Sequence, residues 1–318
     1  MQRYVQTWSG DNYTSWKTLK YNIKMGIGLA LSGISNTGHD VGGFSGPAPS
    51  PELLLRWVQF AIFMPRFSIH SWNDDKTVNE PWMYPETTAA VRNLLKLRGR
   101  LTPYFYDLLW RYHQHYEPMI KPTFLAFPED AQCFAENDDM LIGNSLLLAA
   151  VVEEGQKNRP VYLPAGADWY DVWSGALHHG GQQIVLAAQD DYPPLLARAG
   201  SAVAINVADQ HFAQSAHQPG FMVFPQPGEG SFETSFFDDD GQSNDYLTGK
   251  HSCWQLHVQG SADKLSIDIN CDGVAPASDA VVLMLPIGEL RQLQLNGGVL
   301  VSDLIADGHR QVQMRLTN

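Results

Sequence analysis

Three short clusters in this 318-residue sequence carry side chains suited to acid–base and recognition chemistry. The first is Trp8-Ser9-Gly10-Asp11-Asn12. The second is His39-Asp40 among glycines, with Phe44 close behind, and the third is His70 with Trp72. A carboxyl group near other acids can hold its proton at neutral pH and deliver it as a general acid. Recognition of a neutral sugar wants aromatic faces and side chains with paired donors and acceptors. Trp8, Trp16, Phe44 and Trp72 offer the first, and Asp40 and His70 the second. Each residue alone has a plainer reading: Asp11 as a helix N-cap before a tryptophan staple, Asp40 as a loop cap, His70 as a satisfied core histidine. It is the three clusters together, each at the end of a strand, that favour a site.

The elements that must position them alternate strand and helix. Arg3 to Thr7 reads as a strand, and Ser15 to Ile27 has helical spacing of Trp16, Leu19, Ile23 and Ile27. Gly28 to Ser35 reads as a small-residue, apolar strand running into the glycine-rich turn Asn36 to Phe44, where the backbone must bend tightly. Pro51 opens a helix through Met64 that is apolar on most sides, and Arg66 to Trp72 reads as a third strand. Pro85 starts a long helical pattern reaching Tyr116, with Pro103 inside it, so a kink or two helices end to end are expected. In a parallel barrel the C-terminal ends of the strands share one face, so the three clusters would converge. Three such units are too few to close a barrel but fit the last three of eight.

At Pro118 the pattern changes. Short apolar runs bounded by glycine and proline follow: Leu146 to Val152, Pro160 to Leu163, Ile184 to Ala187 and Ser201 to Ile205. Such runs indicate a small antiparallel sandwich. Asn206 to Gly220 reads as a polar linker. Beyond it strands are expected near Phe221–Phe224, Phe232–Phe237, Cys253–Val258, Lys264–Ile269, Ala280–Leu285 and Gln311–Leu316. The expected fold class is therefore α/β plus all-β: the C-terminal part of a (β/α)8 TIM barrel over residues 1–118, then two β-sandwich domains over 119–206 and 207–318.

Composition bounds the function. Hydrophobic residues make up 44% of the chain, which fits a globular protein, and the net charge of −13 argues against nucleic acid as a partner. A neutral polyol is indifferent to that charge. Cys133, Cys253 and Cys271 are too few and too scattered for a zinc site or a disulfide framework. With no signal peptide and no run approaching the ~20 apolar residues of a membrane-spanning helix, a cytoplasmic location without membrane attachment is expected. No cofactor or metal is expected, and a homo-oligomer is compatible with the sequence. Asp238 to Asp245 looks superficially like a calcium loop, but Gly241 stands at the fourth place where an EF-hand needs the sixth, so an acidic turn is the better reading. Gly26-Ile27-Gly28 fits no nucleotide fingerprint, His178-His179 is assigned no metal, and there is no nucleophile elbow.

Taken in order, these motifs resemble glycoside hydrolase family 31. They are Trp8-Ser9-Gly10-Asp11-Asn12, then Leu31-Ser32-Gly33, then Gly38-His39-Asp40-Val41-Gly42-Gly43-Phe44. The likeness continues through Arg98 to Tyr106, Pro164 to Asp171 and Phe237 to Gly241, and so spans most of the chain. The family includes α-glucosidases, α-xylosidases and sulfoquinovosidases. The resemblance implies a retaining hydrolase of O-glycosidic bonds in α-linked sugars, with Asp11 as general acid/base. It implies that Asp40 and His70 bind the sugar, with Phe44 nearby, and that an oligosaccharide or glycoside is the substrate. Trp8 and Trp72 complete the candidate substrate-binding set.

Two departures bear on this. Family members carry an arginine two residues before the histidine, where this chain has Ser68, and Asn79-Glu80-Pro81-Trp82-Met83-Tyr84-Pro85 is not general to the family. Both leave the sugar open. The family's nucleophilic aspartate lies upstream of the acid/base, and only ten residues precede Asp11. The resemblance therefore implies the C-terminal part of an enzyme, supplying the acid but not the nucleophile and inactive alone. A non-catalytic carbohydrate-binding or scaffold chain is the alternative.

Overall fold

A computed structural model describes residues 5–208, 217–274, 278, 280–306 and 308–316. The chain divides into two compact units, one made of residues 1–98, 111–166 and 179–196, the other of 99–110, 167–178 and 197–318.

The first unit opens with β1 (Thr7–Trp8), α1 (Trp16–Leu31), β2 (Thr37–Asp40), α2 (Pro51–Ala61) and β3 (Arg66–Ser68). The three strands are parallel in the order β1-β2-β3, with Trp8 opposite Gly38 and Asp40 opposite Ser68. This is a partial β/α barrel-like layer. Arg3 and Tyr4, the expected start of the first strand, lie outside the described residues.

At the end of α1 the structure departs from the expected strand. Gly28 to Ser35 is not a strand: α1 continues to Leu31, and β2 begins only at Thr37. Leu19, Ile23, Gly26 and Ala30 form the buried stripe of one long helix. Gly26 belongs to that stripe because of packing. A Cβ there would lie 2.8 Å from Met64 Cε and 3.2 Å from His39 Nε2, so the bare backbone lets α1 press close to the sheet. The helix is capped by Ser15, whose Oγ accepts from Thr18 N at 3.1 Å; Asp11 is not the cap.

α2 is buried on all sides from Leu53 to Ala61, and Ser50 caps it through Leu53 N. The Arg98 guanidinium closes its other end by donating to the carbonyls of Ile62, Met64 and Pro65 at 2.8, 2.6 and 2.8 Å. α3 (Pro85–Arg100) and α4 (Thr102–His115) run end to end, with Pro103 in the first turn of the second, where a missing N–H costs nothing. The rest of the unit is antiparallel. Ile120–Lys121, Asp139–Ile142 and Leu146–Ala149 form a wholly buried meander, and Asn158–Leu163 pairs with Gln182–Ala187.

The second unit is a sandwich of two sheets. Five strands run in the order Ser201–Asn206, Pro219–Phe224, Ala280–Pro286, His309–Leu316, Gly298–Ala306. Four run in the order Gly230–Asp238, Ser252–Gly260, Lys264–Gly273, Gln292–Asn296. Phe221 of the first sheet meets Phe236 and Trp254 of the second at ring separations of 5.5 and 5.6 Å. Residues 99–110 belong to this unit: Trp110 stacks on Phe237 at 4.0 Å, and Asp107 accepts from Phe237 N at 2.9 Å. The expected linker begins as a continued hairpin, since Val207 N donates to Gln218 O at 2.8 Å; residues 209–216 lie outside the described residues. Among the described residues no helix is long and apolar enough to cross a membrane.

Candidate active site

All three candidate clusters sit at or just beyond the C-terminal ends of the parallel strands. β1 ends at Trp8, and the Ser9–Asn12 loop folds on itself, with Asn12 Nδ2 donating to Ser9 Oγ and to Gly10 O, both at 2.6 Å. Asp11 and Trp8 are exposed. β2 ends at Asp40, and its loop is joined to the first: Phe44 N and Ser45 N both donate to Asn12 O, at 2.7 and 3.0 Å. Gly43 makes the approach possible. Its φ is +87°, and a Cβ there would stand 2.3 Å from Thr14 Oγ1 and 2.7 Å from Thr14 Cα.

The third loop is joined to the second. Trp72 N donates to Phe44 O at 2.6 Å, and Asn79 Nδ2 to Gly43 O at 2.9 Å; Asn79 in turn accepts from Asn73. Phe44 and His70 face each other at a ring separation of 5.2 Å, and His70 and Trp72 are both exposed. The three loops are thus one hydrogen-bonded assembly that presents Trp8, Asp11, Phe44, His70 and Trp72 to solvent or near it.

Asp40 and His39 lie beneath. Asp40 is 1% exposed; its Oδ1 faces both terminal nitrogens of Arg66 at 3.4 Å, and its Oδ2 is buried with no hydrogen-bond partner among the described residues. Burial pushes the Asp40 carboxyl above the ordinary range, while Arg66 and His70 favour its charged form and Asp11 opposes it. That mutual influence places the two carboxylates and the histidine in one electrostatic neighbourhood. His39 is fully buried, its Nδ1 lies 2.8 Å from Ser9 Oγ, and it stacks on Phe60 at 5.9 Å. Desolvation lowers its pKa to about 3, so the ring is a neutral strut under the Asp11 loop.

Two of these contributions escaped the sequence reading. Arg66 was only a strand residue there, yet its guanidinium reaches the Asp40 carboxylate from the neighbouring strand. The register that pairs Gly38 with Arg66 and Asp40 with Ser68 is what brings it there, and no local motif reports a register. Ser9 likewise looked like spacing within a motif, but its hydroxyl joins Asn12 to His39. Asp238 to Asp245 is an acidic turn whose carboxylates accept from their own following amides, as with Asp240 from Gln242 N and Ser243 N at 3.0 and 2.9 Å. Among the described residues no group of three or more histidine, cysteine or acidic side chains is placed to hold a metal ion.

Comparison with known proteins places this geometry. Residues 1–108 match the glycosyl hydrolases family 31 TIM-barrel domain, and residues 116–203 the glycosyl hydrolase family 31 C-terminal domain. A probable glucan 1,3-alpha-glucosidase of Oryza sativa subsp. japonica is 37% identical over 253 residues, which is 78% of this chain and 27% of that protein. A solved family 31 alpha-xylosidase of Xanthomonas citri superposes with a TM-score of 0.74 at 29% identity, over 88% of this chain and 32% of the other. A family 31 dextranase of Flavobacterium johnsoniae shares the fold with a TM-score of 0.84 at 23% identity, over 98% and 43%. This chain therefore spans between about a quarter and two fifths of the proteins it matches. With both of its family-specific domains recognised in sequence order, the chain belongs to glycoside hydrolase family 31, where it corresponds to the C-terminal region of longer members.

Proposed function

We propose that this chain forms the acid/base side of a retaining glycoside hydrolase active on α-linked oligosaccharides. Asp11 is the general acid/base, standing exposed where a leaving oxygen can reach it. Asp40 and His70 bind the sugar hydroxyls, and Trp8, Phe44 and Trp72 supply its aromatic faces. The observation that carries this reading is the strand-end assembly: hydrogen bonds joining the three loops hold Trp8, Asp11, His70 and Trp72 exposed together above the buried Asp40–Arg66 pair. Retention needs a second carboxyl group about 5 Å from the acid, to attack the anomeric carbon. Asp40 is a poor choice for that attack, because it is buried and its charge is committed to Arg66. The nucleophile in this reading comes from sequence outside these 318 residues. Residues 1–118 then serve as the barrel segment, with 119–206 and 207–318 as accessory β-domains, in a cytoplasmic enzyme.

The test is in two parts. In the full-length enzyme carrying this segment, Asp11→Asn is expected to slow hydrolysis of a poor-leaving-group α-glycoside by about 10²–10⁴-fold, and the first step on an activated aryl glycoside by much less. Equal losses on both substrates would remove Asp11 from the role. The purified 318-residue chain is expected to turn over neither aryl α-glucoside nor α-xyloside. Turnover that disappears on Asp40→Ala would make Asp40 the nucleophile and overturn the assignment.

A further inference from the structure

The second unit carries a cavity that this reading does not use. It lies on the outer face of the four-stranded sheet and has a volume of about 590 Å³. That is within the ~300–1,000 Å³ usual for small-molecule sites. Strand alternation sends Trp254, Leu256, Leu265 and Ile267 inward, and leaves the other face to polar side chains. One row crosses all four strands in register: Glu233 opposite His257, His257 opposite Asp268, Asp268 opposite Asn296. The adjacent row places Gln255 opposite Asn270.

These groups are held by one another. Asp268 receives Asn296 Nδ2 on one oxygen and faces His257 Nδ1 at 3.3 Å with the other. Gln255 and Asn270 both donate to Asp272, at 3.0 and 2.7 Å. Those bonds use amide protons and leave the amide carbonyls of Asn296, Gln255 and Asn270 as fixed acceptors around the cavity. Pre-organised acceptors of this kind lower the ordering cost of binding.

The lining selects a ligand class by what it offers. Among the described residues no lysine or arginine lines the cavity, so nothing there compensates an anion. Its two aliphatic residues, Leu256 and Ile269, bury their side chains in the core, and no phenylalanine, tyrosine or tryptophan ring is supplied for an apolar ligand. The acids and the histidine do not converge as metal ligands. Planar amides and carboxylates at fixed spacing suit vicinal hydroxyls, each of which donates and accepts at once. We propose that the outer face of this sheet is a second binding site for a neutral oligosaccharide. The choice of an α-glucan rests on the function proposed above.

Affinity electrophoresis of the purified chain, in native gels cast with soluble dextran or soluble starch, tests it. The wild-type chain is expected to be retarded in at least one polysaccharide. Gln255→Ala with Asn296→Ala should weaken that retention about tenfold, the loss of two neutral hydrogen bonds, while Leu125→Ala, exposed and outside both candidate sites, should keep it. If the double variant loses its near-UV circular dichroism, Asn270→Ala and Gln255→Ala are read singly in its place. A wild-type chain that migrates identically with and without both polysaccharides overturns the inference, as does a folded outer-face variant retained like wild type. Retention lost only in Asp40→Ala also overturns it, while leaving the first unit's sugar site standing.

Discussion

His39 gives the sharpest test of how the strand-end assembly is held. The ring is fully buried, bonded to Ser9 and stacked on Phe60, and desolvation keeps it neutral down to about pH 3. The unfolded chain takes up a proton near pH 6.5 that the folded chain refuses. The stability owed to the neutral ring is therefore complete above about pH 6.5 and is lost as the pH falls towards 3. Each pH unit below 6.5 costs about 1.4 kcal/mol, so pH 5 should cost about 2 kcal/mol relative to neutral. The perturbation is His39→Gln, which cannot charge. Urea unfolding of both proteins between pH 7 and pH 5 compares slopes rather than levels, because the level also contains the packing lost at the ring. Over that range the wild-type stability should fall about 2 kcal/mol further than the variant's. Parallel curves would mean that His39 accepts a proton in place, and the neutral-strut reading would fail.

Two further expectations concern backbone and cap. Gly43→Ala should destabilise by about 2–5 kcal/mol, adding the left-handed backbone cost to the collision with Thr14. Gly33→Ala, equally left-handed but facing open space, should cost only about 1–2 kcal/mol. Similar values for both, from denaturant midpoints, would dismiss the close approach of the loops. Arg98→Met should cost about 3 kcal/mol or more by stranding three carbonyls at the end of α2. A loss below about 1 kcal/mol would show that water serves those carbonyls as well.

Much of the architecture was legible because it rests on local chemistry. Pro51 and Pro85 mark helix starts, Pro103 marks the division of α3 from α4, and the short apolar runs after Met119 mark strands. The failure at Gly28 to Ser35 has a physical reason. Glycines at 26 and 28 look like strand or turn punctuation, but Gly26 is a helix contact and Gly28 faces open space on the same helix. Gln292–Asn296 and Gly298–Ala306 went unseen as strands. The first alternates polar and half-buried residues, and the second exposes Val299, Leu300, Val301, Leu304 and Ile305, so neither shows the buried run that signalled the others. At the candidate site the residue types were readable and their partners were not. Arg66 against Asp40, Ser9 against His39 and Asn79 against Gly43 depend on register and loop crossing, which no short window contains.

The division of the chain into two units has a consequence for how the protein is made. The backbone passes from one unit to the other five times, at residues 98, 110, 166, 178 and 196. A ribosome releasing this chain delivers Asp107 and Trp110 long before Phe237, the residue both of them contact, 130 positions later in the case of Asp107. The second unit cannot reach its native packing during synthesis of the first, and the early helix must wait with its aromatic face unmatched. Loop closure over such separations slows folding. A slow, late phase reported by Trp110 fluorescence is the signature to look for. Cutting the gene after residue 206 would separate Ser201–Asn206 from its hairpin partner Pro219–Phe224, so no single breakpoint there yields two intact products.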